Sequence, residues 1–279
     1  AAGTSILKEE KTMVTLEMLF DAQRVLKEAA TVTPLIKADK IGENIYLNSE
    51  NFQLTGSFKL RGAYYKIASL TPEEAEKGVI ACSAGNHAQG VALSATRRGI
   101  KSVICMPAGA PISKVEATKP CGAEVVLVPG VYDNAANRAV ELMEEKGYTF
   151  VHPFNDERVI AGQGTIGLEI INQLPDVEVV YVPIGGGGLI SGVSYAIKAL
   201  KPDCKVIGVQ AAGAPSMYES RKQGEVIELD KVATIADGIA VKKPGDITFE
   251  MCQKYVDEIV TVSEEEIATA ILTLMEKQK

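Results

Sequence analysis

Residues 179–200 read VVYVPIGGGGLISGVSYAIKAL. A β-branched apolar run meets four consecutive glycines, and an apolar helical run follows. Glycine loses more backbone freedom on folding than any other residue, so each one in a structured segment destabilises it by about 1 kcal/mol. Four together predict a strand-to-helix turn whose backbone something must approach closely. The helix is expected to begin at about Leu189.

The same grammar runs through most of the chain. Strand-like GVIACS, SVICMP, EVVLVP and TFVHPF (up to Phe154) alternate with helix-like AGNHAQGVALSATRRG, SKVEATKPCG and DNAANRAVELMEEKG. Asp133 is the expected N-cap of the last of these, and Gly147 lies past its end. A helix over about Gly164 to Leu174, the glycine stretch, KVIGVQ, a less regular segment from Ala211 to Asp246, a helix and EIVTV follow. Earlier, Leu16 to Ala30 reads as a helix capped by Thr15. Ser263 with Glu266 forms a capping box for the last helix. Strands alternating with amphipathic helices predict parallel sheets covered on both faces. The fold class is therefore α/β, with two doubly wound parallel-sheet domains and a site in the cleft between them. The last helix of such a sheet normally leads into one more strand, and none follows before Lys279.

Composition narrows the function. The chain has 279 residues, 46% of them apolar, and a net charge of −7. The acidic balance and the absence of tryptophan speak against a nucleic-acid partner. No stretch is apolar for 18 residues and no signal-type apolar core opens the chain, so the expectation is a cytoplasmic protein with no membrane partner. The cysteines at 82, 105, 121, 204 and 252 have wide, irregular spacing. They read as reduced thiols, and with two distant histidines no metal site is expected.

Three stretches carry chemistry. In the glycine turn, a helix start and free amides without Cβ atoms favour an anion, best a phosphate. The alternative is a tight, closely packed turn. A nucleotide P-loop is excluded because no Gly-Lys-Ser/Thr follows. GQGTIG (162–167) matches the dinucleotide fingerprint formally, but no buried strand precedes it. It reads as a helix start packed closely against something. In SFKLRGA (57–63), Lys59 sits among small residues, behind Phe58 and near Arg61. It is either an exposed lysine or an amine of lowered pKa, with Arg61 helping to lower it. In SAGNHAQGVA (83–92) a strand turns into a helix. Ser83 and the free amides there either bind a carboxylate or simply cap the helix. Asn86 can reach a phenolic oxygen, and His87 is either a packed histidine or a ligand. Together, a carbonyl-reactive lysine, a phosphate cup and a carboxylate loop suit pyridoxal phosphate and an amino acid.

SFKLRGA, SAGNHAQGVA, AGQGTIGLEI, PIGGGGLISG and TIADGIAV, in this order and spacing, resemble the fold-type II pyridoxal-phosphate enzymes, built like the tryptophan synthase β subunit. Threonine/serine dehydratases, above all the short catabolic form, are most similar, and serine racemases come next. The resemblance runs from about Thr15 to Lys279. It implies Lys59 as the Schiff-base lysine and the base for the α-proton, and Phe58 beside the pyridine ring. Asn86 would bond the ring's 3-hydroxyl oxygen. Gly185, Gly186, Gly187, Gly188 and Leu189 would hold the phosphate, and Gly238 would face the cofactor. Ser83, Ala84, Gly85, Asn86 and His87 would receive the substrate carboxylate. Residues 1–64 and 154–279 would form the large domain and 65–153 the small one.

The implied activity is deamination of L-threonine or L-serine to 2-oxobutanoate or pyruvate plus ammonia. Such an enzyme serves amino-acid catabolism or isoleucine biosynthesis. The implied assembly is a homodimer or homotetramer with a nucleotide or amino-acid effector. Three departures stand out. Ala84 replaces the serine that serves as second base in racemases, which favours elimination. Gln210 and Ser216 stand where some relatives have acidic cation ligands, which implies no metal. The family's further helix, strand and Ser-Gly-Gly-Asn turn, which meets the pyridine nitrogen, would lie beyond Lys279. The alternatives are a serine racemase or another β-eliminating or β-replacing enzyme of this family, and a truncated, inactive ligand-binding form.

Overall fold

A computed structural model describes residues 14–278. The first elements are α1 (Leu16–Leu26), β1 (Leu35–Lys37), β2 (Tyr46–Asn48), α2 (Lys59–Ala68) and α3 (Pro72–Lys77). Then come β3 (Val79–Cys82), α4 (Asn86–Arg97), β4 (Ser102–Pro107), α5 (Ile112–Thr118), β5 (Glu124–Val128), α6 (Tyr132–Lys146) and β6 (Thr149–Phe150). The remainder is α7 (Glu157–Gln173), β7 (Val179–Pro183), α8 (Gly188–Leu200), β8 (Lys205–Ala211), α9 (Ser216–Gln223), α10 (Asp246–Tyr255), β9 (Glu258–Val262) and α11 (Glu264–Lys277). No helix of the described residues is long and apolar enough to cross a membrane.

Two parallel sheets organise the chain. The first has the order β5-β4-β3-β6, and the second β7-β8-β9. Alternation along β3 and β4 fills both faces of the first sheet. Val79, Ala81, Ile104 and Met106 pack with α2 and α4, whereas Ile80, Cys82, Val103 and Cys105 pack with Ala135 and Ala139 of α6. Each fully buried Val or Ile side chain contributes about 1.5–3 kcal/mol. In the second sheet, Val182, Ile184, Val206 and Ile259 pack with Ile190, Val193 and Ile197 of α8 and with Ile166 and Ile170 of α7. The first sheet's order reverses at β3: the chain steps outward through β4 and β5, then returns to the other side of β3 as β6. The carboxyl ends of β3 and β6 thus flank a crevice of the kind that binds ligands in open α/β sheets.

Several boundaries differ from the sequence expectation. Helix α7 starts at Glu157, seven residues before Gly164. Its N-cap, Asp156, accepts from the amides of Arg158 and Val159 at 2.8 and 3.1 Å. GQGTIG therefore lies inside a helix and is no helix start. Its glycines do pack closely: a Cβ on Gly162 would lie 2.6 Å from the Arg61 carbonyl oxygen, and one on Gly164 2.9 Å from that of Gly192. Helix α6 is capped from Val131, so Asp133 is not its N-cap. The Val131 amide donates to Asn134 Oδ1 at 2.9 Å, and Asp133 lies in the first turn, where a negative charge suits the helix dipole. Strand β6 ends at Phe150, four residues short of Phe154, and Gly147 ends α6 in the left-handed region as expected. Helix α1 ends at Leu26, short of Ala30, and the Ser263–Glu266 capping box is formed.

Candidate active site at the sheet crevice

Lys59 is the first residue of α2, and Ser57 Oγ accepts its amide at 3.3 Å. Helix α4 approaches it closely because Gly90 has no side chain; a Cβ there would lie 3.1 Å from the Lys59 carbonyl carbon. The half-buried Lys59 side chain donates from Nζ to the Pro153 carbonyl oxygen at 2.7 Å, and Nζ lies 5.5 Å from the centre of the Phe58 ring. Among the described residues no carboxylate pairs with it. Burial away from water lowers its pKa to about 8. Arg61, expected from the sequence to share in that effect, takes no part in it. Arg61 turns the other way, fully buried, with one fork on Glu50 and another on Glu169 at 2.7–2.9 Å. Burial opposes the Arg61 charge, but the hydrogen bonds Arg61 donates to Glu169 and Glu50 prevail and raise its pKa.

The carboxyl ends of β3 and β6 supply the crevice walls. After β3, Ser83 Oγ accepts the Gly85 amide at 3.1 Å, so that hydroxyl shapes the loop rather than capping α4. Asn86 is exposed, and among the described residues its side chain bonds to no protein group. His87 is buried, its Nε2 2.8 Å from the Val151 carbonyl oxygen after β6. That contact makes Nε2 the protonated nitrogen, and Nδ1 is left without a partner. Burial first, and the Lys59 charge second, lower its pKa to about 3.

Residues 152–154 were read as strand; with Asn155 they contribute to the site instead. His152 Nδ1 accepts the Asn155 amide at 2.8 Å and that of Phe154 at 3.2 Å. Burial lowers the pKa of His152 to about 4. The Pro153 carbonyl holds Lys59, and the Phe154 ring fills the space where Gly186 would carry a Cβ. Asn155 Oδ1 accepts the Ile247 amide at 3.0 Å. A signal was present in the sequence: Pro153 has no N–H and cannot continue a central ladder.

The glycine turn follows β7, whose sheet ladder closes with the Ile184 amide on Val209 O. Its lack of side chains has protein causes at every position. Gly186 and Gly188 lie on Phe154, Gly185 on Ile239 and Val241, and Gly187 on Met217 and Thr248. Gly187 is also left-handed, with φ +97°. Close packing and anion binding are compatible, because packing excludes side chains whereas an anion would use the backbone amides. The amides of Gly185 through Ile190 donate to no protein acceptor among the described residues. Such a run of donors at the start of a 13-residue helix suits a phosphate dianion. Gly238, in the short 3-10 turn Asp237–Ile239, lies beside Gly185 and has open space where its Cβ would be. The donor set therefore fits pyridoxal phosphate: an unpaired amine, a run of free amides and an open glycine.

Comparisons with known proteins agree. Residues 26–279 match the family described as pyridoxal-phosphate dependent enzyme. The L-threonine ammonia-lyase of Thermotoga maritima is 56% identical over 271 residues, covering 96% of this chain and 68% of that relative. Processed threonine deaminase isoform 2 of Solanum lycopersicum superposes with a TM-score of 0.91 at 41% identity, over 96% of this chain and 76% of that one. Maize serine racemase superposes with 0.93 at 34% identity, over 96% and 82%. This chain belongs to the pyridoxal-phosphate dependent enzyme family.

Proposed function

We propose that this chain deaminates L-threonine and L-serine, giving 2-oxobutanoate or pyruvate and ammonia. Water leaves across the α,β bond and water re-enters on hydrolysis, so ammonia is the net loss. The observation that carries the reading is the Lys59 amine: unpaired by any carboxylate among the described residues, held by one backbone carbonyl, and lowered to about 8. The substrate is supported by the ammonia-lyase and deaminase names of the relatives.

Bound pyridoxal phosphate supplies an aldehyde for amine capture and a conjugated ring that takes up the electron pair left at the α-carbon. The residues of this chain do the rest. Lys59 Nζ receives the α-proton, a task suited to an amine whose pKa is near the working pH. Amides of Gly185 to Leu189 would hold the phosphate. The Asn86 side chain would donate to the ring oxygen, with Phe58 beside the ring and Gly238 leaving room for it. Ser83, Ala84, Gly85, Asn86 and His87 orient the substrate carboxylate. Residues 65–153, which hold the first sheet, form one domain, and 1–64 with 154–279 form the other. The reading includes a cytoplasmic homodimer or homotetramer with a nucleotide or amino-acid effector; these rest on the resemblance.

A second reading, racemisation of serine, is favoured by the likeness to maize serine racemase. Ala84 opposes it, since a methyl group has no proton to exchange. The test is 2-oxo acid formation from L-threonine and L-serine by wild type and Lys59→Ala, with a chiral assay of recovered serine. Turnover lost in Lys59→Ala and recovered serine still L support the proposal. Persistent turnover in Lys59→Ala, or D-serine as the main product, contradicts it.

A further inference from the structure

The glycine turn rests on a side chain that no motif marks. Thr248 is fully buried in the first turn of α10. Its Oγ1 lies 2.6 Å from the Gly186 carbonyl oxygen, 3.1 Å from the Gly245 amide and 3.1 Å from the Gly245 carbonyl oxygen. A hydroxyl has one proton, and the short contact to Gly186 takes it, while the Gly245 amide donates in return. In a trans peptide the C=O and the following N–H point in opposite directions. Holding the Gly186 carbonyl against α10 therefore aims the Gly187 N–H away from α10, toward the side where the turn's amides have no protein acceptor among the described residues.

We infer that Thr248 is a positioning residue for the anion cup, fixing the Gly186–Gly187 peptide so that the Gly187 amide meets the phosphate. The inference rests on the reading of the glycine turn as a phosphate site. Thr248 is itself held from both sides. Ser191 Oγ of α8 lies 3.4 Å from its carbonyl oxygen, and the neighbouring Ile247 amide is bonded to Asn155 at 3.0 Å. A parallel device serves the Ile184–Gly185 peptide at the start of the turn, where buried Gln210 donates from Nε2 to the Ile184 carbonyl oxygen at 3.2 Å.

The experiment separates the phosphate from the rest of the cofactor. The full chain is stripped of cofactor with hydroxylamine and titrated with pyridoxal phosphate and, separately, with pyridoxal. The ratio of the two affinities reads the cup alone. Thr248→Val keeps the shape and removes the hydroxyl. It is expected to weaken pyridoxal phosphate about tenfold, one charge-assisted hydrogen bond, and to change pyridoxal less than about twofold. Thr248→Ser keeps the hydroxyl and is expected to keep the wild-type ratio. Thr248→Ala, read against Thr248→Ser, gives the same comparison should Thr248→Val not fold. Equal weakening of both ligands, or an unchanged ratio without the hydroxyl, overturns the role of Thr248. A wild-type ratio near one overturns the phosphate site itself, and the inference with it.

Discussion

Lys59 Nζ and the Pro153 carbonyl oxygen are 2.7 Å apart, joining the start of α2 to the turn after β6. The next residue, Phe154, lies under Gly186 and Gly188. One turn therefore positions the reactive amine and the glycine turn relative to each other.

The amine should titrate low. Its pKa falls from the ordinary 10.5 to about 8 because burial disfavours the charged form. Only the neutral amine attacks an aldehyde, so the rate at which ligand-free protein captures pyridoxal phosphate should rise with pH up to about 8 and then level. Stopped-flow absorbance against pH checks this, and an inflection near 10.5 would contradict it. The stability sign follows. Between about 8 and 10.5 the unfolded chain binds more protons at this residue than the folded one, so the ligand-free protein gains stability as pH rises through that window.

Both histidines should behave as neutral groups. With folded pKa values near 3 for His87 and near 4 for His152, the unfolded chain binds more protons below 6.5. Stability is full above 6.5 and falls as pH drops toward 4, by up to about 1.4 kcal/mol per pH unit for each histidine. Unfolding curves from pH 4 to 7 should show a shallower acid loss for His87→Gln than for wild type.

Two glycines should respond differently to alanine. Gly187 is left-handed, and a Cβ there would lie 2.7 Å from Met217 Cε and 2.8 Å from Thr248 Cβ. Gly187→Ala should lose about 2 kcal/mol or more of stability. Gly238 has open space and no left-handed strain. Gly238→Ala should stay within about 0.5 kcal/mol of wild type in denaturant unfolding, yet lose affinity for the cofactor that its methyl group would meet.

Arg61 should be irreplaceable for folding. Its two forks neutralise Glu50 and Glu169 and tie α2 to α7, with Thr165 Oγ1 accepting the remaining Nη1 proton at 3.1 Å and the Thr31 carbonyl oxygen 3.2 Å from Nη2. Arg61→Met strands two largely buried carboxylates and should destabilise by about 3–5 kcal/mol in denaturant unfolding. Arg61→Lys should recover little of that, because an ammonium cannot present two forks.

What the sequence disclosed follows from what is local. The alternating strands and helices, the Thr15 cap and the Ser263–Glu266 box were legible, because each is set by neighbours within a few residues. The start of α7 was not. From Val159 to Ile170 every residue is buried, so the amphipathic pattern that marks a helix is absent, and its polar first turn looks like a loop. One of the two carboxylate partners of Arg61, Glu169, lies 108 residues away and leaves no local trace. The glycine turn was legible as a close approach, with an anion and close packing as its alternatives, but the packing groups come from distant segments and were not legible. Phe154, Met217 and Thr248 pack where side chains would be, while the amides donate to no protein acceptor among the described residues.

The Lys59 amine is proposed to carry the cofactor, and borohydride would fix that bond. The purified protein is treated with borohydride, digested and read by peptide mass spectrometry. A phosphopyridoxyl group is expected on Lys59, in the peptide containing SFKLRGA. Attachment at another lysine, with Lys59 unmodified, would contradict it.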